Sequence, residues 1–140
     1  MHLEYVVLGP PISNQQSRVA GKANLTAWKA KLRVEVCKAW AHRPLTANLK
    51  TIIINFHADE NPSLDLDNMS KPIHDVMENL IYKNDRQITQ AELTHVRIDA
   101  PFNFVRAPQI IVSAIQAGIE FVYVRIEDPV EPFPLPNVGK

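Results

Sequence analysis

Two short stretches of the sequence carry residue types suited to phosphodiester chemistry. The first is a pair of acids, Asp65 and Asp67, followed by Lys71, and the second holds Asp85 next to Asn84. Carboxylates at i and i+2 of an extended segment project to the same side of the chain, and two acids held close together need a cation to offset their repulsion. Such oxygen-rich sites suit Mg²⁺ or Mn²⁺, which bind one or two carboxylates together with water and substrate phosphates. The acids and the lysine therefore predict a metal site that acts on phosphodiesters.

Length and composition fit a single globular domain. The chain has 140 residues, 46% of them hydrophobic, which is enough to bury a core. Cys37 is its only cysteine, which excludes an intrachain disulfide and suits a reducing compartment. No apolar run approaches the roughly 18 residues that a membrane span needs. We therefore expect a cytoplasmic protein with no membrane association.

The net charge is zero, but the charges are unevenly distributed. Residues 1–50 carry eight basic side chains and two acidic ones, whereas residues 51–99 carry nine acidic side chains and four basic ones. A cationic surface beside an acidic metal site would give this pattern, and so would two ordinary solvated faces. Charge alone leaves both interpretations open.

The N-terminal part of the chain predicts a strand, a loop and a helix. A first strand is predicted over residues 2–8 and a polar loop over residues 13–24. A helix that is capped near the end of this loop follows and runs to Pro44. The loop holds Arg18 and Lys22, which are candidates for contact with phosphate. The apolar stripe of the helix contains tryptophans, for which core packing is the favoured role.

The candidate site lies between a predicted strand and a predicted helix. The β-branched run over residues 50–56 predicts a central strand buried on both faces. A loop with its turn at Asn61-Pro62-Ser63 leads to an amphipathic helix. Pro72 lacks an N–H group and fits best in a first helical turn, which predicts Asn68 as the N-cap and places the two acids just before the helix. His57 and His74 lie close in sequence to the acids, and we expect them at the surface.

The second half of the chain predicts mainly strands. They are expected over residues 91–98, 109–116 and 119–126, with the last two forming a hairpin. The order β-α-β-α-β-β with an additional C-terminal strand indicates an α/β (α+β) fold, in which a mixed sheet packs on two helices in one two-layer domain. We expect this domain to span residues 1–127, with residues 128–140 forming a Pro-rich extended tail.

The spacing of the candidate residues resembles that of a known family. Asp65-x-Asp67-Asn68-x-x-Lys71-x-x-x-Asp75, followed by Asn84-Asp85-x-x-Ile88, resembles the motif of the RusA-type Holliday-junction resolvases. The Pro10-Pro11-x-Ser13-Asn14 segment after the first strand is similar to the opening of that family. The resemblance covers residues 3–116 and includes the order of the elements.

The resemblance implies an activity and a set of residue roles. Members are homodimers that cut four-way DNA junctions symmetrically with Mg²⁺ or Mn²⁺. Asp65, Asp67 and Asp85 correspond to the catalytic, metal-binding aspartates of the family. Lys71 matches its essential lysine, which would meet charge developing on the phosphate, although an i, i+4 salt bridge is the simpler role for it. Asn68 and Asp75 fall on supporting motif positions.

Other features leave the substrate open. The segment over residues 58–63 is acidic and has no aromatic residue, and a neutral chain predicts weaker phosphate-driven affinity than a basic one. Residues 119–140 have no counterpart in the family pattern. Two alternatives therefore stand beside junction cleavage: a broader endonuclease of the same fold that cuts branched DNA, and a nucleic-acid-binding module that does not cut.

Overall fold

The computed structural model describes residues 1–59 and 64–139. Within these residues, four strands alternate with three helices, and a short 3₁₀ turn, Asp85–Gln87, precedes the third strand. In chain order the elements are β1 (Leu3–Leu8), α1 (Val19–Ala39), β2 (Leu49–His57), α2 (Leu66–Met77), β3 (Ile88–Arg97), α3 (Gln109–Ala117) and β4 (Phe121–Glu127). The predicted turn at Asn61-Pro62-Ser63 lies outside the described residues.

The strands form one mixed sheet in the order β1-β4-β2-β3. Strand β4 is antiparallel to both of its neighbours, whereas β2 and β3 are parallel. The prediction that β2 is a buried interior strand is confirmed, because it pairs on both sides and most of its residues are buried. An unbroken β-branched run is what such a position favours.

Helices cover both faces of this sheet. Successive strand side chains point to opposite faces, so Ile53 joins the core under α1 and α2, whereas Phe56 joins a second cluster with Phe121 and Tyr123 under α3. Trp28 of α1 is buried in the first core, as its spacing predicts. The α/β class and the packing of a mixed sheet on α1 and α2 are confirmed, and α3 adds a helix on the second face.

The prediction of a strand over residues 109–116 is wrong, and so is the hairpin that it implied. This segment is α3, whose apolar side chains recur with helical spacing and pack against Phe56 and its neighbours; they are Ile110, Ile111, Ala114 and Ile115. Gly118 ends the helix in the left-handed conformation, with φ of 70°, a C-cap role that glycine favours. The β-branched composition favours a strand, but packing of the apolar face on the sheet stabilises a helix.

Helix α1 begins earlier than predicted. It starts at Val19, with Arg18 as its N-cap, so Lys22 lies in the first turns of a helix and not in a loop. Lys22 and Asn24 are both exposed within the helix, and the alanines and lysine of this segment favour helix despite Gly21 and Asn24. The Thr26 hydroxyl donates to the Lys22 carbonyl at 3.0 Å and does not cap the helix.

The C-terminal segment lies along the outer edge of β3. The Gln90 side chain donates to the Val130 carbonyl at 3.2 Å and accepts from the Val130 N–H at 3.0 Å. One side-chain amide thus offers the donor and acceptor that a neighbouring strand would offer. The helices of the described residues include none that is both long and apolar enough to cross a membrane.

Candidate functional site

Asp65 caps the N-terminus of α2. Its Oδ1 atom accepts a hydrogen bond from the Asn68 N–H at 2.9 Å, and the helix begins at Leu66. The prediction that Asn68 is the N-cap is therefore wrong by three residues, and Asp67 lies in the first turn of the helix and not in an extended segment. A carboxylate satisfies the unpaired N–H groups of a helix start and interacts favourably with the helix dipole there.

Helix α2 contains Pro72 beyond its first turn. The proline has no N–H group to donate to the carbonyl of Asn68, four residues before it. The Asn14 N–H donates to that carbonyl at 3.0 Å in its place. The proline thus frees an acceptor that fastens the segment after β1 to the start of α2.

A groove lies between these two segments. Its cavity has a volume of about 370 Å³ and is lined on one side by the segment after β1 and on the other by Leu64, Asp65 and Asn68. Asp65 and Asp67 are both exposed. The carboxylate of Asp65 therefore lines an open groove at the start of α2.

Lys71 lies one helical turn further along and is held by Asp75. Its Nζ atom is 2.7 Å from Asp75 Oδ1, and about half of its side chain is exposed. The hydrogen bond and charge of Asp75 raise the pKa of Lys71, and the charges of Asp85 and Glu78 raise it further. Lys71 is therefore a firmly protonated cation. The i, i+4 salt bridge exists with Asp75.

Asp85 is fixed beyond the C-terminal end of α2. Its N–H donates at 3.0 Å to Oε2 of Glu78, the C-cap residue of that helix. Asn84 caps the 3₁₀ turn by accepting from the Arg86 N–H at 2.9 Å. Gln87 completes the capping box and also donates to backbone carbonyls that precede β2. The Asn-x-x-Gln spacing was a sequence signal for this turn, and the sequence analysis missed the anchoring role of Gln87.

The structure brings some of the candidate residues together and separates others. Lys71, Asp75 and Asp85 interact electrostatically near the C-terminal half of α2. Asp65 caps the opposite end of this 12-residue helix, which is about 18 Å long at 1.5 Å per residue. Within residues 1–59 and 64–139, no group of three or more His, Cys, Asp or Glu side chains is close enough to hold a metal ion.

The donor chemistry still suits a divalent cation. Asp65, Asp67 and Asp85 are exposed carboxylates, the oxygen donors that Mg²⁺ and Mn²⁺ prefer. The side chains of Asp67 and Asp85 make no hydrogen bond or ion pair within the described part of the chain. Asp67 and Asp85 therefore have free carboxylate oxygens, and Asp65 has one oxygen besides the one that accepts the N-cap hydrogen bond.

A hydrogen-bonded pair of polar side chains, the buried Asn55 and the partly buried His95, supports the segment that enters α2. His95 Nε2 lies 3.1 Å from the Leu64 carbonyl oxygen, and His95 Nδ1 lies 3.1 Å from the amide nitrogen of Asn55. Desolvation lowers the pKa of His95, so its ring is neutral at pH 7. The sequence analysis missed these residues, although Asn55 is a polar interruption in the apolar run of β2.

The expectation that His57 and His74 lie at the surface is wrong. His57 is 6% exposed at the end of β2. His74 lies between α2 and the sheet, where its Nε2 atom is 3.0 Å from the Thr51 hydroxyl. Burial lowers the pKa of His74. The helical position of His74, next to the apolar stripe, could have indicated this.

Two basic side chains mark the start of α1. Arg18 and Lys22 are both exposed, and Gln16, just before them, lines the groove beside Asp65. Further along the same helix, Lys29 Nζ lies 3.9 Å from Asp75 Oδ2. The basic helix α1 therefore runs beside the candidate residues of α2.

Comparison with known proteins identifies a family for this arrangement. The family model described as Endodeoxyribonuclease RusA matches residues 9–106, a range that contains the groove and all of the candidate acids and basic side chains discussed above. No curated protein matches the chain significantly.

Proposed function

Because this chain belongs to the RusA endodeoxyribonuclease family, we propose that it resolves four-way (Holliday) junctions by paired, symmetric phosphodiester cleavage that depends on Mg²⁺ or Mn²⁺. The observation that carries this proposal is the family match over residues 9–106, which includes an intact set of candidate catalytic residues. These are Asp65, Asp67, Lys71 and Asp85. A non-cleaving relative would have little need to retain them all.

Lys71 is proposed to bind the phosphate at the reacting centre. Asp75 holds its Nζ atom at 2.7 Å and raises its pKa, so Lys71 carries a full positive charge throughout the neutral pH range. A fixed cation stabilises the negative charge that develops on the phosphate oxygens during hydrolysis. Asp75 is thus a positioning residue for Lys71, and Asn68 supports Asp65 by the hydrogen bond from its N–H.

Asp65, Asp67 and Asp85 are the proposed metal ligands. A divalent ion bound by them would polarise a phosphate oxygen and lower the pKa of a bound water. Asp65 and Asp67 offer their carboxylates at the start of α2, where Asp65 keeps one oxygen for the N-cap bond. Asp85 lies on a turn after α2, where Glu78 fixes it and its charge acts on Lys71, so its part in the same site has its own test.

The proposed assembly is a homodimer. A four-way junction has approximate two-fold symmetry, so a C2 dimer would present two equivalent sites to two opposed strands. Arg18 and Lys22, exposed at the start of α1, are the proposed contacts to the DNA backbone near each site.

The decisive experiment compares three DNA substrates. Purified protein is incubated with a synthetic four-way junction, a flap and a linear duplex, each with Mg²⁺, Mn²⁺ or EDTA. We expect symmetric nicks in the junction only, and only with a divalent ion. Asp67→Asn should abolish cutting and retain binding, because it removes a charge from an exposed position without disturbing the core.

The other outcomes select between the alternatives. Equal cutting of the flap and the junction would identify a broader branched-DNA endonuclease of the same fold. If the wild-type protein binds the junction and cuts none of the substrates with either ion, the endonuclease proposal fails and a binding module replaces it.

A further inference from the structure

The two flanks of helix α1 differ in how their positive charges are used. Lys22, Lys29 and Arg33 are spaced by seven and four residues, which places them on one flank of the helix, with Arg18 four residues before Lys22. We call these four residues the basic stripe. The buried residues Trp28, Leu32 and Val36 separate this flank from the opposite one.

On the opposite flank, the basic side chains have partners within the protein. Lys31 donates to the Leu8 carbonyl of β1 at 2.5 Å. Lys38 lies 3.5 Å from Glu35, the one acidic residue of α1. The positive charges of this flank therefore have partners within the fold.

The stripe is different. Lys22 and Arg33 are exposed, and their side chains make no hydrogen bond or ion pair among the residues that the structure describes. Lys29 has one distant partner, Asp75, at 3.9 Å, and Asp75 is the residue that holds Lys71. The unneutralised cations of α1 are thus on the flank that faces the candidate catalytic lysine.

From this asymmetry we propose that the basic stripe is the surface that carries one DNA strand past Lys71. The proposal rests on the proposed nuclease function, and it names the sugar-phosphate backbone as the ligand of Lys29 and Arg33 in addition to Arg18 and Lys22. Eleven residues separate Lys22 from Arg33, or about 16 Å along the helix. That length matches about five nucleotides at 3.4 Å per residue of one strand.

The stripe also answers how a neutral protein binds DNA. Salt-dependent affinity depends on the number of phosphates that are neutralised locally and not on the net charge of the chain. Four cations in one row, of which only Lys29 lies within 4 Å of an acid in the described part of the chain (Asp75, at 3.9 Å), provide such a local site although acids elsewhere cancel the total.

The test uses single substitutions that each remove one positive charge from α1. Lys22→Gln and Arg33→Gln alter the stripe, and Lys38→Gln is the matched control on the opposite flank. Binding to a labelled four-way junction is measured by fluorescence anisotropy in EDTA over a series of KCl concentrations, and melting curves confirm that each variant is folded.

We expect each stripe variant to lower the slope of log K against log[salt] by about 1 and to weaken binding roughly tenfold at 0.1 M salt. Lys38→Gln should stay within about twofold of wild type, since it contacts no phosphate. Equal weakening by all three variants would show a general charge effect and overturn the stripe, as would wild-type binding by Lys22→Gln and Arg33→Gln. Because binding is measured without a divalent ion, cutting by the wild type tests the nuclease proposal separately.

Discussion

The Nε2 atom of His95 lies 3.1 Å from the backbone carbonyl oxygen of Leu64, the residue immediately before the Asp65 cap. The Asn55 amide donates to the other ring nitrogen, so the ring proton is on Nε2 and donates to Leu64. Asn55 is 2% exposed, and its own carbonyl oxygen has no partner within the described residues. Asn55, on the central strand β2, thus orients His95, which fixes the backbone immediately before Asp65, a candidate metal ligand.

His95→Ala should reduce both stability and cleavage. The substitution leaves a buried Asn55 amide and the Leu64 carbonyl without partners, at a cost of about 1–3 kcal/mol in the free energy of unfolding. Cleavage of the junction should fall further than this loss of folded protein explains, because the position of Asp65 is no longer fixed. Urea unfolding and single-turnover cleavage measure the two effects.

Thr94→Ala is the control for this substitution, since Thr94 is the exposed neighbour of His95 on β3. It should leave both quantities near wild type. An unchanged cleavage rate in folded His95→Ala protein would contradict the positioning role.

Lys71→Gln and Asp75→Asn break the same salt bridge and should differ in their effect on activity. An exposed i, i+4 pair contributes only about 0.3–0.5 kcal/mol, so both variants should keep nearly wild-type melting temperatures. Lys71→Gln should lower the cleavage rate about 10²- to 10³-fold, because it removes the cation that faces the phosphate. Asp75→Asn keeps that cation and should lose much less. Equal losses from the two variants would show that the salt bridge, and not the lysine charge, is what matters.

Asp65→Asn and Asp65→Ala separate the capping role from the proposed metal role. Asparagine is a good N-cap, whereas alanine loses the cap and costs about 0.5–2 kcal/mol of stability. Both variants should lose cleavage and show weaker Mn²⁺ binding by calorimetry, but only Asp65→Ala should melt earlier. Wild-type Mn²⁺ affinity in Asp65→Asn would remove Asp65 from the set of metal ligands.

The metal role of Asp85 is best tested against that of its neighbour Glu78. Glu78 accepts the Asp85 N–H at 3.0 Å and so helps to fix the turn, without being a candidate ligand. Asp85→Asn should abolish cleavage with little change in stability, and Glu78→Gln, which keeps an acceptor oxygen, should retain cleavage. If Asp85→Asn cuts as well as Glu78→Gln, catalysis depends only on the acids at the start of α2.

The stability of the protein should fall as the pH drops below about 6.5, the histidine pKa of an unfolded chain. Burial lowers the pKa of His74 and of His95, so between the lowered values and 6.5 the unfolded chain binds more protons than the folded one. Stability is therefore fully present above 6.5 and is lost on acidification. His74→Gln should flatten part of this dependence when the free energy of unfolding is measured from about pH 5 to pH 8. An unchanged slope would contradict it.

The sequence predicted the elements whose patterns depend on local chemistry. The continuous β-branched run of β2 and the helical spacing of Trp28, Leu32 and Val36 in α1 could be recognised from the local sequence. The prediction for α3 was wrong because Gln109–Ala117 is rich in β-branched residues, which favour strands, although its apolar residues recur at helical spacing and pack against Phe56. The start of α2 was misplaced because Pro72 was assumed to need a first turn, whereas Asn14 takes over the acceptor that the proline leaves.

For the candidate site, too, the sequence indicates the residues and the fold determines where they lie. Residue types and spacing indicated Asp65, Asp67, Lys71 and Asp85, since a motif is a property of the sequence. Their placement is a property of the fold: Asp65 and Asp67 lie at the start of α2, and Glu78 at its C-cap fixes the turn that carries Asp85. The support from His95 depends on the parallel pairing of β2 with β3, which aligns Asn55 with His95 and has no local signal.

The hydrogen bonds between Gln90 and Val130 bear on self-association of this protein through the edge of its sheet. Strand β3 is the open edge of the sheet next to β2, and an open edge is a template for adding a further strand from another molecule. The Gln90 amide occupies a donor and an acceptor of the tail in the way that a strand would, and the prolines of that tail cannot continue a ladder. The tail therefore occupies part of the edge of β3 where a strand of another molecule would add.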